Sequence, residues 1–221
     1  LKAWQADVQV VVAFRMLPEV VWAMPRFGTF NLHAALLPQY RGAAPINWAI
    51  INGERETGIT TFFLQHEIDT GNVIQQVRIP IADTDTAGDI HDRLMLLGGD
   101  LVIETINKLI EGNIKAIPQE EMQTDEPLKP APKLFKDNCK IDWSAGVKKC
   151  YDLIRGLSPY PAAWTTFVSG EKQQTLKIFV SEKEFCTTTA PVGTIIITDK
   201  ADLKAVSYTH LRAHETGRNL V

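Results

Sequence analysis

The sequence predicts an α/β fold, in which an open sheet with some parallel strands is followed by a second, β-rich domain. Three observations support this prediction. Strand-like apolar segments alternate with segments of helical periodicity as far as Asn113. A Pro- and Lys-rich stretch, 124–138, then interrupts this order with little periodicity of its own. Beyond that stretch, three short segments again alternate like strands.

The first domain is predicted to hold four strands, each bounded by turn formers. These segments are 8–14, 28–33 with its exit loop to Pro38, 58–65 and 72–81. Between them we predict a short helix over 18–24, opened by Pro18, and a helix over 44–53 that ends at Asn52-Gly53. A long helix runs from an N-cap at Thr86 or Asp89 to Asn113.

The second domain is predicted to begin with an amphipathic helix over 142–156, followed by the break SPYP. Strands then follow at AWTTFVSG, TLKIFVSEKEF and GTIIITD. We place the first domain at 1–118, a linker at 119–140 and the start of the second domain at 141–205. Both domains are expected to be incomplete, and 206–221 resembles translated adapter DNA, so we predict a non-native tail there, with a genuine polar tail as the alternative.

Composition excludes several classes of protein. The net charge is −3, so no general basic field predicts nucleic-acid binding, and such contacts would need a local patch. Three cysteines without CxxC spacing indicate reduced thiols rather than a disulfide framework. No apolar segment is long enough to span a membrane, and the start lacks a signal-peptide pattern. We therefore expect a soluble, cytoplasmic protein.

The stretch FNLHAALLP places two polar side chains on one side of a strand. Residues two apart project to the same face, so Asn31 and His33 point into one space. An amide can donate to an oxyanion, and an imidazole can move a proton near neutral pH. Asp69 lies in the turn between the next two strands, where a carboxylate could orient the imidazole. Since most Asn and His residues are structural, the spacing alone leaves both interpretations open.

A longer stretch, FNLHAALLPQYRGAAPINWAIINGERETGITTFFLQHEIDTGNVI, resembles the core of the folate-dependent formyltransferases. The shared motifs are the N-x-H strand, an SLLP-like loop, the RGAAP turn and a D-T-G loop. Within that family, KPAPKLFKDNCKIDW and GLSPYPAAW are similar to the linker and second-domain entry of the members that formylate initiator tRNA. The resemblance covers about Asp7 to Lys204 and implies a Rossmann-like catalytic domain with a partial, OB-like C-terminal β-barrel.

The resemblance implies transfer of the formyl group of 10-formyltetrahydrofolate to the α-amino group of methionyl initiator tRNA, in translation initiation. Asn31 would donate to the tetrahedral oxyanion. His33, positioned by Asp69 directly or through water, would relay the proton of the amine toward the departing folate nitrogen. No metal is required, and no clustered ligand set is visible in the sequence. We expect a monomer.

Two loops are implied to bind the folate co-substrate. The first aligns with the family's SLLP and comprises Ala35, Leu36, Leu37 and Pro38, with Ala35 lacking the serine hydroxyl. The second resembles the loop whose main chain meets the pterin, and its residues are Phe14, Arg15 and Leu17. Leu36 and Leu37 also suit plain core packing. Arg41-Gly42 is expected to be a turn, with Arg41 near an acid.

A local basic cluster in the linker is the candidate for contact with tRNA phosphate: Lys129, Lys133, Lys136 and Lys140. A solvated linker surface explains the same lysines. Three alternatives to the tRNA reaction remain open: a sugar-nucleotide N-formyltransferase, a formyltetrahydrofolate hydrolase in which water replaces the amine, and an inactive fragment. The APKL and IDW motifs favour the tRNA reaction over the first two.

Overall fold

The computed structural model describes residues 1–13, 16–122, 124, 126–185, 188–199, 202–207 and 211–214. The chain divides into two units that interleave along the sequence. The first comprises 1–46, 55–81 and 91–133, and the second comprises 47–54, 82–90 and 134–221. The predicted boundaries at residues 118, 140 and 205 stay predictions.

The first unit is built on a four-stranded sheet in the order β1-β2-β3-β4. Its strands are β1 (Gln9–Val11), β2 (Thr29–His33), β3 (Glu56–Phe63) and β4 (Val73–Pro80). β1 and β2 are parallel, whereas the β2-β3 and β3-β4 pairs are antiparallel. The prediction of an α/β sheet with some parallel pairing is therefore confirmed.

Three helices accompany these strands along the chain: α1 (Glu19–Trp22), α2 (Pro45–Ile51) and α3 (Ala87–Glu111). The predicted N-cap of α3 forms from both candidates. The backbone N–H and the hydroxyl of Thr86 donate to Asp89 Oδ2, and Asp89 N–H donates back to Thr86 Oγ1. This reciprocal pairing satisfies donors that the first turn of a helix leaves free.

The two faces of the sheet carry different residues. Leu32 of β2 lies on the face covered by α3, because a Cβ added at Gly98 of α3 would meet its Cδ2 at 2.8 Å. Thr61, its partner in β3, exchanges a hydrogen bond of 3.1 Å with Thr105 of α3. Since strand residues alternate, Asn31 and His33 lie on the opposite face.

The segment that follows α3 is bonded to β4 and to the loop after β2 within the first unit. Val73 and Ile117 exchange two backbone hydrogen bonds of 2.8 Å. Further along, Tyr40 N–H donates to Lys129 O at 2.7 Å, and Ala131 N–H donates to Arg41 O at 2.8 Å. Residues 117–131 are thus attached at one end to β4 and at the other to the loop after β2. We call them the return segment.

The second unit packs around α4 (Val147–Gly156). Its strands form a hairpin of β5 (Ala163–Ser169) and β6 (Lys172–Ile178) and a sheet in the order β7-β10-β9-β8. The latter strands are β7 (Val180–Lys183), β8 (Ile195–Asp199), β9 (Asp202–Ala205) and β10 (Leu211–His214). The core includes Ile141, Val147, Ile154, Leu157 and Ile178. The unit is β-rich as predicted, and closure into a barrel stays a prediction.

Two element boundaries in the second unit were predicted wrongly. The helix begins at Val147 rather than Asp142, because Asp142 caps a separate 3₁₀ turn through Ser144 N–H and Gly146 has a φ of +89°. The segment predicted as one strand, TLKIFVSEKEF, is divided at Phe179. β6 pairs with β5, whereas β7 pairs with β10. One apolar segment therefore serves two sheets.

Part of the predicted tail is ordered. Val206 and Ser207 are buried, and Leu211–His214 form β10 between β7 and β9. Residues 208–210 and 215–221 lie outside the described residues. The foreign origin of this segment stays a prediction.

Two of the three cysteines, and the helices, can be compared with the sequence predictions within the described residues. Cys139 and Cys150 are buried free thiols, and burial raises the pKa of Cys150 to about 11. Cys186 lies outside the described residues. Among the described helices, none has the length and apolar character needed to cross a bilayer.

Candidate active site

His33 is held on both sides of its imidazole ring. Nε2 lies 2.8 Å from the carbonyl oxygen of Tyr40, and because a carbonyl only accepts, Nε2 carries the hydrogen. Nδ1 lies 3.9 Å from Oδ2 of Asp69. In the neutral ring Nδ1 is therefore the nitrogen with a free lone pair. The ring is 6% exposed and packs edge-on against Phe62, with ring centroids 6.3 Å apart.

Asp69 takes its position from the backbone of two loops. It has a φ of +56°, a conformation that Asp tolerates better than most residues, and its Oδ2 accepts a 3.0 Å hydrogen bond from Gly42 N–H. Gly71 follows in the same D-T-G loop, and a side chain there would collide with the carbonyl of Phe63. The loop is thus folded tightly enough to return the carboxylate to the end of β2.

Burial and the two ring partners act on His33 in opposite directions. Loss of solvation lowers the pKa of the His33 imidazole below its ordinary value of 6.5, and this is the largest effect. The Asp69 carboxylate and the hydrogen bond to Tyr40 raise the pKa and partly offset it. At neutral pH the ring is therefore neutral, with Nδ1 able to accept a proton.

Asn31 lies on the same face of β2 and is 6% exposed. Its Oδ1 is buried and has no hydrogen-bond partner among the described residues. A buried amide with unused hydrogen-bonding capacity is rare in folded proteins, and a catalytic role is one of the explanations for such a group. The structure thus brings His33 and Asp69 together and sets an uncommitted amide two residues away.

The loop after β2 is fixed by a hydroxyl at the centre of the sheet. Thr60 Oγ1 donates to Ala35 O at 2.6 Å and accepts from Leu37 N–H at 3.2 Å. Gln76 Nε2 donates to Leu37 O at 2.7 Å and to Thr60 Oγ1 at 2.9 Å. Ala35, Leu37 and Pro38 are buried, and Leu36 is half-buried. The loop backbone is therefore rigid although Ala35 brings no hydroxyl of its own.

The second predicted folate loop is only partly described. Phe14 and Arg15 lie outside the described residues. Leu17 lies between β1 and α1 and is half-buried. Its role stays a prediction.

Several residues of this site were not predicted from the sequence. Thr60 and Gln76 stand on ordinary strand positions, and Gln119 lies in a polar segment without periodicity. Gln119 is nevertheless 2% exposed, and its Nε2 donates to Asp69 O at 3.0 Å and to Gly71 O at 2.8 Å. Arg41 binds the amide oxygen of Gln119 where an acid was expected. No sequence signal separates this Gln from its polar neighbours.

The linker lysines divide between the two units. In the first unit, Lys129 Nζ lies 2.6 Å from the Glu126 carboxylate. In the second, the amines of Lys136 and Lys140 lie 5.2 and 5.5 Å from the ring centroid of Trp164. Among the described residues no group of three or more His, Cys, Asp or Glu side chains is arranged to hold a metal ion.

Two family models match the chain. The model described as formyl transferase covers residues 1–106, and the model of the formyl transferase C-terminal domain covers residues 133–207.

Curated relatives agree with these models. The chain is 63% identical over 205 residues to the methionyl-tRNA formyltransferase of Bacteroides thetaiotaomicron. This alignment covers 92% of this chain and 64% of the relative. It is 50% identical over 200 residues to the methionyl-tRNA formyltransferase of Flavobacterium psychrophilum, covering 90% of this chain and 62% of the relative. The chain thus spans less than two thirds of the length of the curated relatives it matches.

Solved structures show the same fold at low identity. HypX from Aquifex aeolicus in complex with tetrahydrofolic acid aligns with a TM-score of 0.70 and 18% identity, over 96% of this chain and 36% of that one. WlaRD, a sugar 3N-formyl transferase solved with dTDP and 5-N-formyl-THF, aligns with a TM-score of 0.71 and 19% identity, over 99% and 77%.

Proposed function

We propose, from the premise that this chain belongs to the formyl transferase family, that it carries the catalytic centre of a methionyl-tRNA formyltransferase. The reaction moves the formyl group of 10-formyltetrahydrofolate to the α-amino group of methionine on initiator tRNA. The observation that carries the chemistry is the buried His33, whose Nδ1 faces Asp69, on the same strand face as Asn31, whose buried Oδ1 has no hydrogen-bond partner among the described residues. The relatives of 50 and 63% identity support the acceptor.

The reaction needs a proton acceptor and an oxyanion donor at one carbonyl carbon. The amine attacks the formyl carbon, a new C–N bond forms, and the carbonyl oxygen becomes negative. Asn31 Nδ2 donates to that oxygen, and a donor so placed is worth roughly 10²-fold or more in rate. His33 Nδ1 takes the proton from the now cationic amine nitrogen. As the bond to N10 of the folate breaks, the same proton passes to that nitrogen.

Asp69 acts once this proton has arrived. A neutral imidazole presents a lone pair to the carboxylate, so the two groups gain little from each other at 3.9 Å. The imidazolium that forms during the reaction is attracted to the carboxylate across the same distance in a site of low exposure. Asp69 therefore stabilises the transition state more than the resting enzyme, which is the condition for faster catalysis.

The folate is proposed to bind along the loop 35–38. Thr60 and Gln76 fix the main chain of Ala35 and Leu37, and the co-substrate is rich in ring nitrogens and amide groups that a fixed main chain can bind. The buried loop presents a fixed backbone, which lowers the entropy cost of binding. Phe14, Arg15 and Leu17 are proposed to contact the pterin of the co-substrate. Folate in the structures of related fold supports the assignment.

The tRNA is proposed to contact the linker lysines through its phosphates. Lys136 and Lys140 each hold an amine beside Trp164 in the second unit, and we propose that these two positive charges meet the phosphates. Contacts of this kind add affinity without reading sequence, and they weaken as salt rises.

The function is tested by an assay with three acceptors. Purified chain, and a chimera that adds the remaining residues of the Bacteroides thetaiotaomicron relative, are given 10-formyltetrahydrofolate with methionyl initiator tRNA, with a dTDP-amino sugar, or with water alone. We expect formyl-methionyl-tRNA in the first reaction and no product above background in the other two. Formylation of the sugar, or release of formate without acceptor, would overturn the assignment. So would a chimera that transfers nothing to the tRNA.

A further inference from the structure

The side chain of Gln119 joins the two loops that contact His33. Its amide uses every hydrogen-bonding position it has. Nε2 donates to Asp69 O and Gly71 O, at 3.0 and 2.8 Å. Oε1 accepts from Arg41 Nε and Nη2, at 3.0 and 2.7 Å. Because Arg only donates and carbonyls only accept, the orientation of this amide is fixed.

The two sets of groups that the Gln119 amide binds both adjoin the contacts of the His33 imidazole. Arg41 stands between Tyr40, whose carbonyl accepts from His33 Nε2, and Gly42, whose N–H donates to Asp69 Oδ2. On the other side, Gln119 holds the main chain of Asp69 itself. One buried amide thus sets the distance between the loop that binds one ring nitrogen and the loop that faces the other.

The return segment brings Gln119 to this place. The paired backbone hydrogen bonds between Val73 and Ile117 fix the chain two residues before Gln119. The bonds of Lys129 and Ala131 to the loop after β2 fix the segment at its far end. A residue from outside both active-site loops is therefore held rigidly against them, as supporting residues of catalytic groups are.

We propose that Gln119 is a positioning residue of the formyl transfer reaction, which holds the Asp69 carboxylate opposite Nδ1 of His33 by tying the D-T-G loop to Arg41. This inference rests on the proposed function. The proposal requires that Gln119 acts through Asp69 and has no effect on folate binding. A residue important only for stability would instead lower all activities together with the melting temperature.

Two variants separate these cases. Gln119→Met removes all four hydrogen bonds with little change in volume. Gln119→Glu keeps the acceptors for Arg41 and removes both donors to the D-T-G loop. The control is Glu120→Ala, an exposed neighbour in the same 3₁₀ turn. We expect both Gln119 variants to lower kcat by about 10-fold or more while KM for the folate changes by less than about twofold.

A double-mutant cycle identifies the route of the effect. If Gln119 acts through Asp69, Gln119→Met lowers kcat by less than about twofold in an Asp69→Asn background. An equal loss in both backgrounds, together with a lower melting temperature in Gln119→Met and in Gln119→Glu, would overturn the proposal.

A substrate-free measurement keeps this test independent of the proposed function. Ring signals of His33 in the NMR spectrum of the unliganded chain, identified with His33→Ala, are expected to shift in both Gln119 variants and to stay in place in Glu120→Ala. Unchanged His33 signals in both Gln119 variants would contradict the positioning role. Absence of formyl transfer in the parent would reject the proposed function and leave this result standing.

Discussion

Oδ2 of Asp69 lies 3.9 Å from Nδ1 of His33, beyond hydrogen-bond length and close enough for an ion pair once the ring is protonated. The other ring nitrogen is committed to Tyr40 O. This arrangement differs from a triad in which the carboxylate accepts a hydrogen bond from the neutral imidazole. Here the carboxylate gains its full effect only after the imidazole has taken a proton.

The burial of His33 predicts a pH dependence of stability. The folded-state pKa of His33 lies below its ordinary value of 6.5, so between these two values the unfolded chain binds a proton that the folded chain does not. The contribution of neutral His33 to the free energy of unfolding is therefore fully present above pH 6.5. It is lost as the pH falls toward the folded-state pKa. Free energies of unfolding measured at pH 7.5 and pH 5.5 should differ less in His33→Gln than in the parent. An equal pH dependence in both proteins would contradict the cause assigned.

Much of this centre follows from the sequence because it rests on local rules. Strand alternation places Asn31 and His33 on one face. β3 ends beside the start of β2, with Phe63 opposite Phe30, so Asp69 reaches His33 because the D-T-G loop folds back toward Gly42. The position of Gln119 in the site could not be predicted from the sequence. Its burial depends on the pairing of Val73 with Ile117, two residues that are far apart in the chain. The start of α4 was missed for a different reason, because a capped 3₁₀ turn at Asp142 competes with the helix.

The amide of Asn31 is predicted to support activity at the expense of stability. Replacing it with Leu removes a buried oxygen that has no partner among the described residues, so the free energy of unfolding should stay level or rise by up to ~1 kcal/mol. The rate of formyl transfer should fall by roughly 10²-fold or more, because the oxyanion donor is lost.

Ser181→Ala is the matched control for this variant. Its hydroxyl is also buried without a partner among the described residues, but it lies in β7, in the second unit. Its removal should leave both stability and rate near the parent values. Clear destabilisation by Asn31→Leu, with Ser181→Ala neutral, would show that the Asn31 amide is structural.

Gly42 is predicted to tolerate no side chain. Its φ is +127°, and a Cβ would collide with the carbonyl of Ala131 in the return segment. Gly42→Ala should cost roughly 2–4 kcal/mol of stability through combined strain and collision. Gly112 also has a positive φ, of +72°, and no atom of the residues that the structure describes lies within 4 Å of an added Cβ, so Gly112→Ala should cost only about 1 kcal/mol. Equal losses of unfolding free energy in the two variants, measured by chemical denaturation, would contradict the close approach of Ala131 to Gly42.

The hydroxyl of Thr60 is predicted to govern folate affinity. Thr60→Val keeps the shape of the side chain and removes its bonds to Ala35, Leu37 and Gln76. We expect the Kd for 5-formyltetrahydrofolate, measured by calorimetry, to rise about 10-fold as the loop loses its support. Thr61→Val is equally buried but loses a bond to Thr105 on the opposite face, so it should change Kd by less than about twofold. Similar Kd values in the two variants would show that folate affinity does not depend on the support of this loop by Thr60.

The measurement that tests the central claim most directly is the single-turnover rate of formyl transfer to methionyl initiator tRNA in His33→Ala and in Asp69→Ala, with folate and tRNA saturating. Melting temperatures and folate Kd are measured alongside to exclude misfolding. We predict that both variants fold, bind folate and transfer the formyl group about 10²-fold or more slowly than the parent, since each removes the proton acceptor or its counter-ion. A rate within a few-fold of the parent in either variant would contradict the roles assigned to these two residues.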